Sequence, residues 1–113
     1  MTDTTNTALD TQQADTPAIH DCTDELERIL QERIMVMDGS WGVMLQDLEL
    51  TEAEYRGERF ADHTHELRGC IDVLCLTQPE IIRDAQRQYL EAGADILTTN
   101  SFTATTYGLV EFG

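Results

Sequence analysis

The spacing of apolar residues along this chain changes several times, and each change marks an element. After Met1, residues 1–20 hold only Leu9 and Ile19 as large apolar side chains among Thr, Asp, Gln and Asn. Such a stretch buries too little surface to offset its conformational entropy. A disordered acidic tail is expected there, with an acidic docking arm as the alternative. Residues 21–113 are then the folded part. Leu26, Ile29 and Leu30 recur at helical spacing. Thr23 is placed to N-cap that helix, and Asp24 and Glu25 in the first turn complement its dipole. The period then breaks. Ile34-Met35-Val36-Met37 is a continuous apolar run stopped by Asp38-Gly39, the pattern of a strand buried on both faces.

Glycines on either side of Ser40-Trp41 predict a tight loop leading into a helix through Val43-Met44-Leu45. Thr51-Glu52-Ala53-Glu54 reads as the start of a short helix capped by Thr51. Residues 56–71 are mostly polar and read as a long connection, a length that in a compact domain is usually functional or poorly ordered. Thr77-Gln78-Pro79-Glu80 has the form of a capping box with proline in the first turn. Ile81, Ile82, Ala85, Tyr89 and Ala92 make the apolar face that follows, and Gly93 stands where a left-handed C-cap belongs. Asp95 to Thr99 predict a second strand, and Thr103 to Phe112 the beginning of another helix. Strands alternating with helices predict the α/β class with parallel βα units. Two such strands with one crossover leave sheet edges and an apolar helix face to be covered.

Charge and cysteine usage narrow the function. The chain of 113 residues carries 22 acids against 7 bases, all of them arginine. Seven of the acids precede Arg28, the first base. Nucleic-acid binding requires clustered Lys and Arg to displace counterions, and no basic patch is present. No apolar run approaches the roughly 20 residues of a membrane-spanning helix. The polar, acidic N-terminus lacks the features of a signal peptide, and the three cysteines, Cys22, Cys70 and Cys75, do not form a disulfide framework. The cytoplasm is the default location.

Reactive groups of parallel βα architectures lie at the C-terminal ends of strands, which selects Asp38-Gly39-Ser40-Trp41-Gly42 and Thr98-Thr99-Asn100-Ser101-Phe102. A carboxylate followed by glycine offers a negative charge and a free backbone N–H at one point, a match for the ammonium and carboxylate of an amino acid. The plainer alternative is that Asp38 caps its turn. Trp41 is placed either to stack on a cationic or cofactor group or to cover the mouth of the site. Asp62-His63-Thr64-His65-Glu66 reads as a solvated loop rather than a metal site, because histidines two apart face one way only in extended chain. Cys75, in the run Ile71-Asp72-Val73-Leu74-Cys75-Leu76, is expected to be a buried structural thiol.

Three segments carry a resemblance. Arg33 to Leu45 resembles the first strand and loop of the homocysteine S-methyltransferases. Tyr55-Arg56-Gly57-Glu58-Arg59-Phe60-Ala61-Asp62 resembles the connection typical of cobalamin-dependent methionine synthases. Glu91 to Phe102 resembles the second strand of the family with its Thr-Asn-Thr-Phe motif. The resemblance implies a (β/α)8 TIM-type barrel that binds homocysteine and zinc at its C-terminal face. It also implies a methyl group passed from methyltetrahydrofolate to cobalamin, and from methylcobalamin to the homocysteine thiolate. By that likeness Asp38 takes the amino group of homocysteine, the Gly39 N–H assists, and Ser40, Trp41, Thr98, Asn100 and Phe102 complete the substrate wall. No catalytic residue and no zinc ligand is assigned, since by the resemblance the family's zinc cysteines come from later barrel strands, beyond residue 113, and Cys22, Cys70 and Cys75 do not correspond to them. Ser40 and Val43 stand where the family's Asp-Gly-Gly-x-Gly-Thr pattern has glycine and a hydroxyl residue. A barrel of this kind needs about 250 residues. The expectation is therefore the first βα units of a truncated barrel, inactive alone and serving beside methyltetrahydrofolate and cobalamin modules. The alternatives are a non-catalytic truncated product acting as a binding or assembly piece, and, remotely, an unrelated βα protein using Asp38 as a nucleophile.

Overall fold

The computed structural model describes residues 18–113. The tail expected over residues 1–20 lies outside the described residues except for its last three. The described residues divide into two units, 18–32 and 33–113. No helix among the described residues is long and apolar enough to cross a membrane.

In the first unit, α1 (Thr23–Glu32) forms where the periodicity places it. Its cap differs from the expectation. Asp21, not Thr23, supplies the acceptor: one carboxylate oxygen receives the Thr23 hydroxyl at 2.6 Å and the Thr23 N–H at 3.0 Å. An ionised carboxylate at the positive end of a helix is a stronger acceptor than a hydroxyl. Those bonds, the hydroxyl's first, hold the Asp21 carboxyl below its ordinary value.

In the second unit, the two expected strands meet in parallel through a single bridge, Met37 with Ile96. The Asp95 N–H donates to the Val36 carbonyl at 2.7 Å and the Asp38 N–H to the Ile96 carbonyl at 2.9 Å. The expected burial on both faces is not found; Ile34 is 87% exposed and Met37 57%. Burial of a parallel strand needs neighbours on both edges and layers on both faces, and among the described residues this pair has only itself.

The core forms instead among short helices: α2 (Trp41–Gln46), α3 (Glu52–Arg56), α4 (Leu74–Thr77) and α5 (Pro79–Glu91). It joins Trp41, Leu45, Leu50, Tyr55, Leu67, Leu74, Ile82 and Ala85. Thr51 and Glu54 make the reciprocal capping box at α3. The box expected at Thr77 and Glu80 is absent. Thr77 lies inside α4, so its hydroxyl turns back to the Val73 carbonyl, and Gln78 begins α5 with no side-chain cap. Gly93 closes that helix at φ +105°, in the left-handed region expected of it.

Residues 56–71 form a structured connection held by one ion pair. Glu52 receives Arg56 Nε at 2.7 Å, the Leu67 N–H at 2.8 Å and the Arg68 N–H at 2.6 Å. The Arg56 guanidinium donates to the carbonyls of Phe60, His63 and His65. Among the described residues no His, Cys, Asp and Glu side chains cluster as a metal site; the His63 ring instead faces the Phe112 carbonyl. Thr103 to Phe112 do not form the expected helix, but turns ending in the 3-10 segment Val110–Phe112. Side-chain bonds compete with helix there: Thr105 Oγ1 accepts the Gly108 N–H at 3.0 Å, and threonines are poor interior helix formers. Cys75 also departs from the expectation: it is exposed, and Cys70 is the buried thiol. A 3-10 turn at Ile71–Val73 runs into α4 with Leu74 inward, and the next helical side chain points about 100° away.

Candidate functional site

The parallel register sets Asp38 beside Thr98. Asp38 Oδ2 accepts the Thr98 backbone N–H at 2.9 Å and the Trp41 indole N–H at 3.0 Å. The Thr98 hydroxyl donates to both carboxylate oxygens, at 3.1 and 3.2 Å. Desolvation pushes the pKa of this carboxyl up, but the bonds from the Thr98 N–H, Trp41 and the Thr98 hydroxyl together outweigh it, and the group titrates below its ordinary value. Asp38 is thus a pinned anion whose Oδ1 receives only the Thr98 hydroxyl and keeps a lone pair for another donor. A carboxylate stabilised by three donor groups is a poor nucleophile, which argues against the remote nucleophile alternative.

The turn after Asp38 is supported by α5. The Tyr89 hydroxyl donates to the Ser40 carbonyl at 2.9 Å, and a Cβ on Gly39 would lie 3.1 Å from that hydroxyl oxygen. Ser40 has φ −67° and ψ 116°, an ordinary extended conformation, so a serine at the family's glycine position carries no backbone strain. Val43 is on the exposed side of α2.

Beside this turn lies a cleft of about 600 Å³. Ser40, Trp41 and Gly42 form one part of its lining, Gly69, Ile71 and Asp72 another, and Thr98 to Thr103 a third, with Glu111 and Phe112 completing it. Five of the seven expected substrate residues, Ser40, Trp41, Thr98, Asn100 and Phe102, therefore come together at one cavity. Asp38 and Gly39 are not in the lining; Asp38 connects to it through Trp41 and Thr98. Trp41 is neither a free stacking platform nor part of a loop. It is the first residue of α2 and belongs to the core, with its indole N–H spent on Asp38. Asn100 is turned into the protein, its amide donating to the Ile71 carbonyl at 2.9 Å and to Cys75 Sγ at 3.4 Å. Phe102 is 98% exposed at the rim.

Asp72 and Glu111 are the ionisable side chains of the lining, so the cleft favours a cationic group and leaves an anionic one to a neutral donor from the bonded hydroxyl pair of Thr99 and Ser101. Two contributors were not marked by the pattern of the sequence: Tyr89, counted there only as part of an apolar face, and Asp72, counted as part of an apolar run. Each acts on a segment tens of residues away, which periodicity does not register.

A family model described as homocysteine S-methyltransferase matches residues 35–113. This chain belongs to the homocysteine S-methyltransferase family. The matched residues take in the Met37–Ile96 bridge, the pinned Asp38 and every residue of the cleft lining. Members are methyltransferases by the family's description, and homocysteine is the substrate that description carries. A homocysteine S-methyltransferase needs a place for an amino acid's ammonium and carboxylate and a route to its thiol. The ordering of charge here, with a pinned carboxylate and a pair of neutral hydroxyls, suits the first of these needs.

Proposed function

We propose that this chain forms the amino-acid-binding part of a homocysteine S-methyltransferase of the cobalamin-dependent methionine synthase branch, built on the first βα units of a (β/α)8 barrel. The observation that supports this best is the Asp38 carboxylate, fixed by Trp41 and Thr98 at the end of a paired extended segment. In this reading Asp38 Oδ1 accepts an N–H of the homocysteine ammonium. The Gly39 N–H and the Thr99–Ser101 hydroxyl pair take its carboxylate, and the thiol points along the cleft. In methyl transfer the thiolate sulfur forms a bond to the methyl carbon as the bond from that carbon to the donor breaks. Methylcobalamin, recharged by methyltetrahydrofolate, is the proposed donor, brought by a separate module.

Zinc is the family's means of lowering the thiol pKa, and the described residues do not fit it. They contain no cluster of ligands, and burial pushes the Cys70 thiol up rather than toward thiolate. No step assigned to this chain runs through zinc.

The test is calorimetric titration of the full 113-residue chain with homocysteine. Binding is expected in the wild type, and Asp38→Asn is expected to weaken it about tenfold, the size of a lost charge-assisted bond. Equal affinity in the two proteins refutes the assignment.

A further inference from the structure

The wall formed by Thr98 to Phe102 has no ladder of its own, since the only strand bridge among the described residues ends at Ile96. It is held from two sides. Thr98 is fixed to Asp38, and the other end is fixed to the 3-10 turn Ile71–Val73. There the Asp72 carboxylate spends both oxygens on one residue: Oδ1 accepts the Thr103 N–H at 3.3 Å and Oδ2 accepts the Thr103 hydroxyl. One residue earlier, the Ile71 carbonyl receives the Asn100 amide at 2.9 Å. The exposed Phe102 lies between these two anchors.

We propose that Asp72 is a positioning residue for homocysteine, acting through Thr103 to hold the Thr98–Phe102 wall at its working distance from the Asp38 turn. The proposal rests on the reading that this cleft takes homocysteine. A carboxylate is suited to the task because it accepts a backbone N–H and a hydroxyl from the same residue at once, which fixes that residue's position and orientation together. An amide at position 72 can still accept the Thr103 N–H and donate to the Thr103 hydroxyl, but both bonds lose the charge assistance of the carboxylate. Ile71 alone cannot replace it, since its carbonyl reaches only Asn100.

The test uses the full 113-residue chain with Asp72→Asn, Thr103→Val, Thr103→Ser and the double change D72N/T103V. Two readouts are taken: amide hydrogen exchange at Thr98–Phe102 without ligand, and the homocysteine dissociation constant. Asp72→Asn and Thr103→Val are each expected to speed exchange in that run and to weaken homocysteine about tenfold. The double change is expected to cost no more than either alone, while Thr103→Ser, which keeps the hydroxyl, retains wild-type values in both readouts. Should Asp72→Asn fail to fold, the Thr103 pair decides alone. Wild-type exchange and affinity in Thr103→Val overturn the proposal, as do faster exchange with unchanged affinity and a Thr103→Ser protein that behaves like the valine variant. A wild-type chain that binds no homocysteine overturns the underlying reading and the proposal with it. Binding in the wild type that is indifferent to Thr103 overturns the proposal alone.

Discussion

Gly39→Ala tests how tightly α5 holds the turn after Asp38. The glycine is not in the left-handed region, so alanine is compatible with the backbone and gains about 0.5 kcal/mol by restricting the unfolded chain. The new methyl, however, lies 3.1 Å from the Tyr89 hydroxyl oxygen and 3.3 Å from Tyr89 Cε1. That hydroxyl cannot withdraw freely, because it donates to the Ser40 carbonyl at 2.9 Å. Displacing it forfeits a neutral hydrogen bond of about 1 kcal/mol, which exceeds the entropic gain. The net effect expected in the wild type is a loss of about 0.5 kcal/mol. In a Tyr89→Phe background that bond is already gone and the nearest obstruction removed, so the same Gly39→Ala change stabilises by about 0.5 kcal/mol. The two changes are thus coupled by about 1 kcal/mol. Urea unfolding of the four proteins, followed by the fluorescence of Trp41, the single tryptophan, measures the cycle. Additivity within about 0.3 kcal/mol, or a stabilising Gly39→Ala in the wild type, refutes the reasoning.

Leu74 is fully buried whereas Leu76, two residues on, is half exposed. Leu74→Ala is expected to cost about 3 kcal/mol in urea unfolding and Leu76→Ala less than about 1 kcal/mol; equal costs would refute the placement of α4. Arg56→Lys keeps the charge beside Glu52 but loses the planar fork that reaches several carbonyls, so amide exchange over residues 63–68 is expected to quicken, and an unchanged pattern argues against the clasp. Asp95 titrates at about 2, held down first by the Arg33 guanidinium and then by the Val36 N–H, and Asp38, Glu52 and Glu54 are lowered as well. Carboxyls whose folded values lie below their unfolded ones stabilise the fold above about pH 4 and lose that contribution as pH falls toward 2. Unfolding midpoints are therefore expected to be flat from pH 6 to 5 and to fall below pH 4, with Arg33→Gln moving the Asp95 titration upward by NMR. A midpoint that holds steady down to pH 2 contradicts this.

The helices were legible to different depths. α1 and α5 carry an apolar stripe over several turns, and the Thr51–Glu54 box is a four-residue signal complete in itself, so both kinds of element stand where the pattern puts them. The box at Thr77 and Glu80 has the same letters and fails because the preceding turn is already helical and claims the Thr77 hydroxyl. That preceding turn has no periodic signal, since Leu74–Thr77 is a single turn. The expectation for Cys75 failed for a related reason: an apolar run says nothing of which side chain faces inward, and one residue of phase exchanges Cys75 for Leu74. At the site, Asp38 and the Thr98–Phe102 run were legible because each ends an apolar segment. The supports from Tyr89 and Asp72 were not, because they depend on how distant segments pack.

What holds the two extended segments in register explains why an aspartate stands at each end of the pairing. The segments share one bridge, too little for a ladder to fix their alignment. Asp95 Oδ2 accepts the Val36 N–H at 2.9 Å while both its oxygens engage the Arg33 guanidinium. At the opposite end, Asp38 Oδ2 accepts the Thr98 N–H at 2.9 Å. Each carboxylate thus receives a backbone N–H of the other segment, in the place where a further ladder carbonyl would stand. A slip of one residue would break both bonds and turn every side chain of the segment to the other face. The carboxylate at the site is therefore held by the same contacts that set the register. Loss of the Asp38 side chain is expected to disturb the pairing as well as the pocket, and Asp38→Asn, which keeps one acceptor oxygen for the Thr98 N–H, is the variant that separates the two roles.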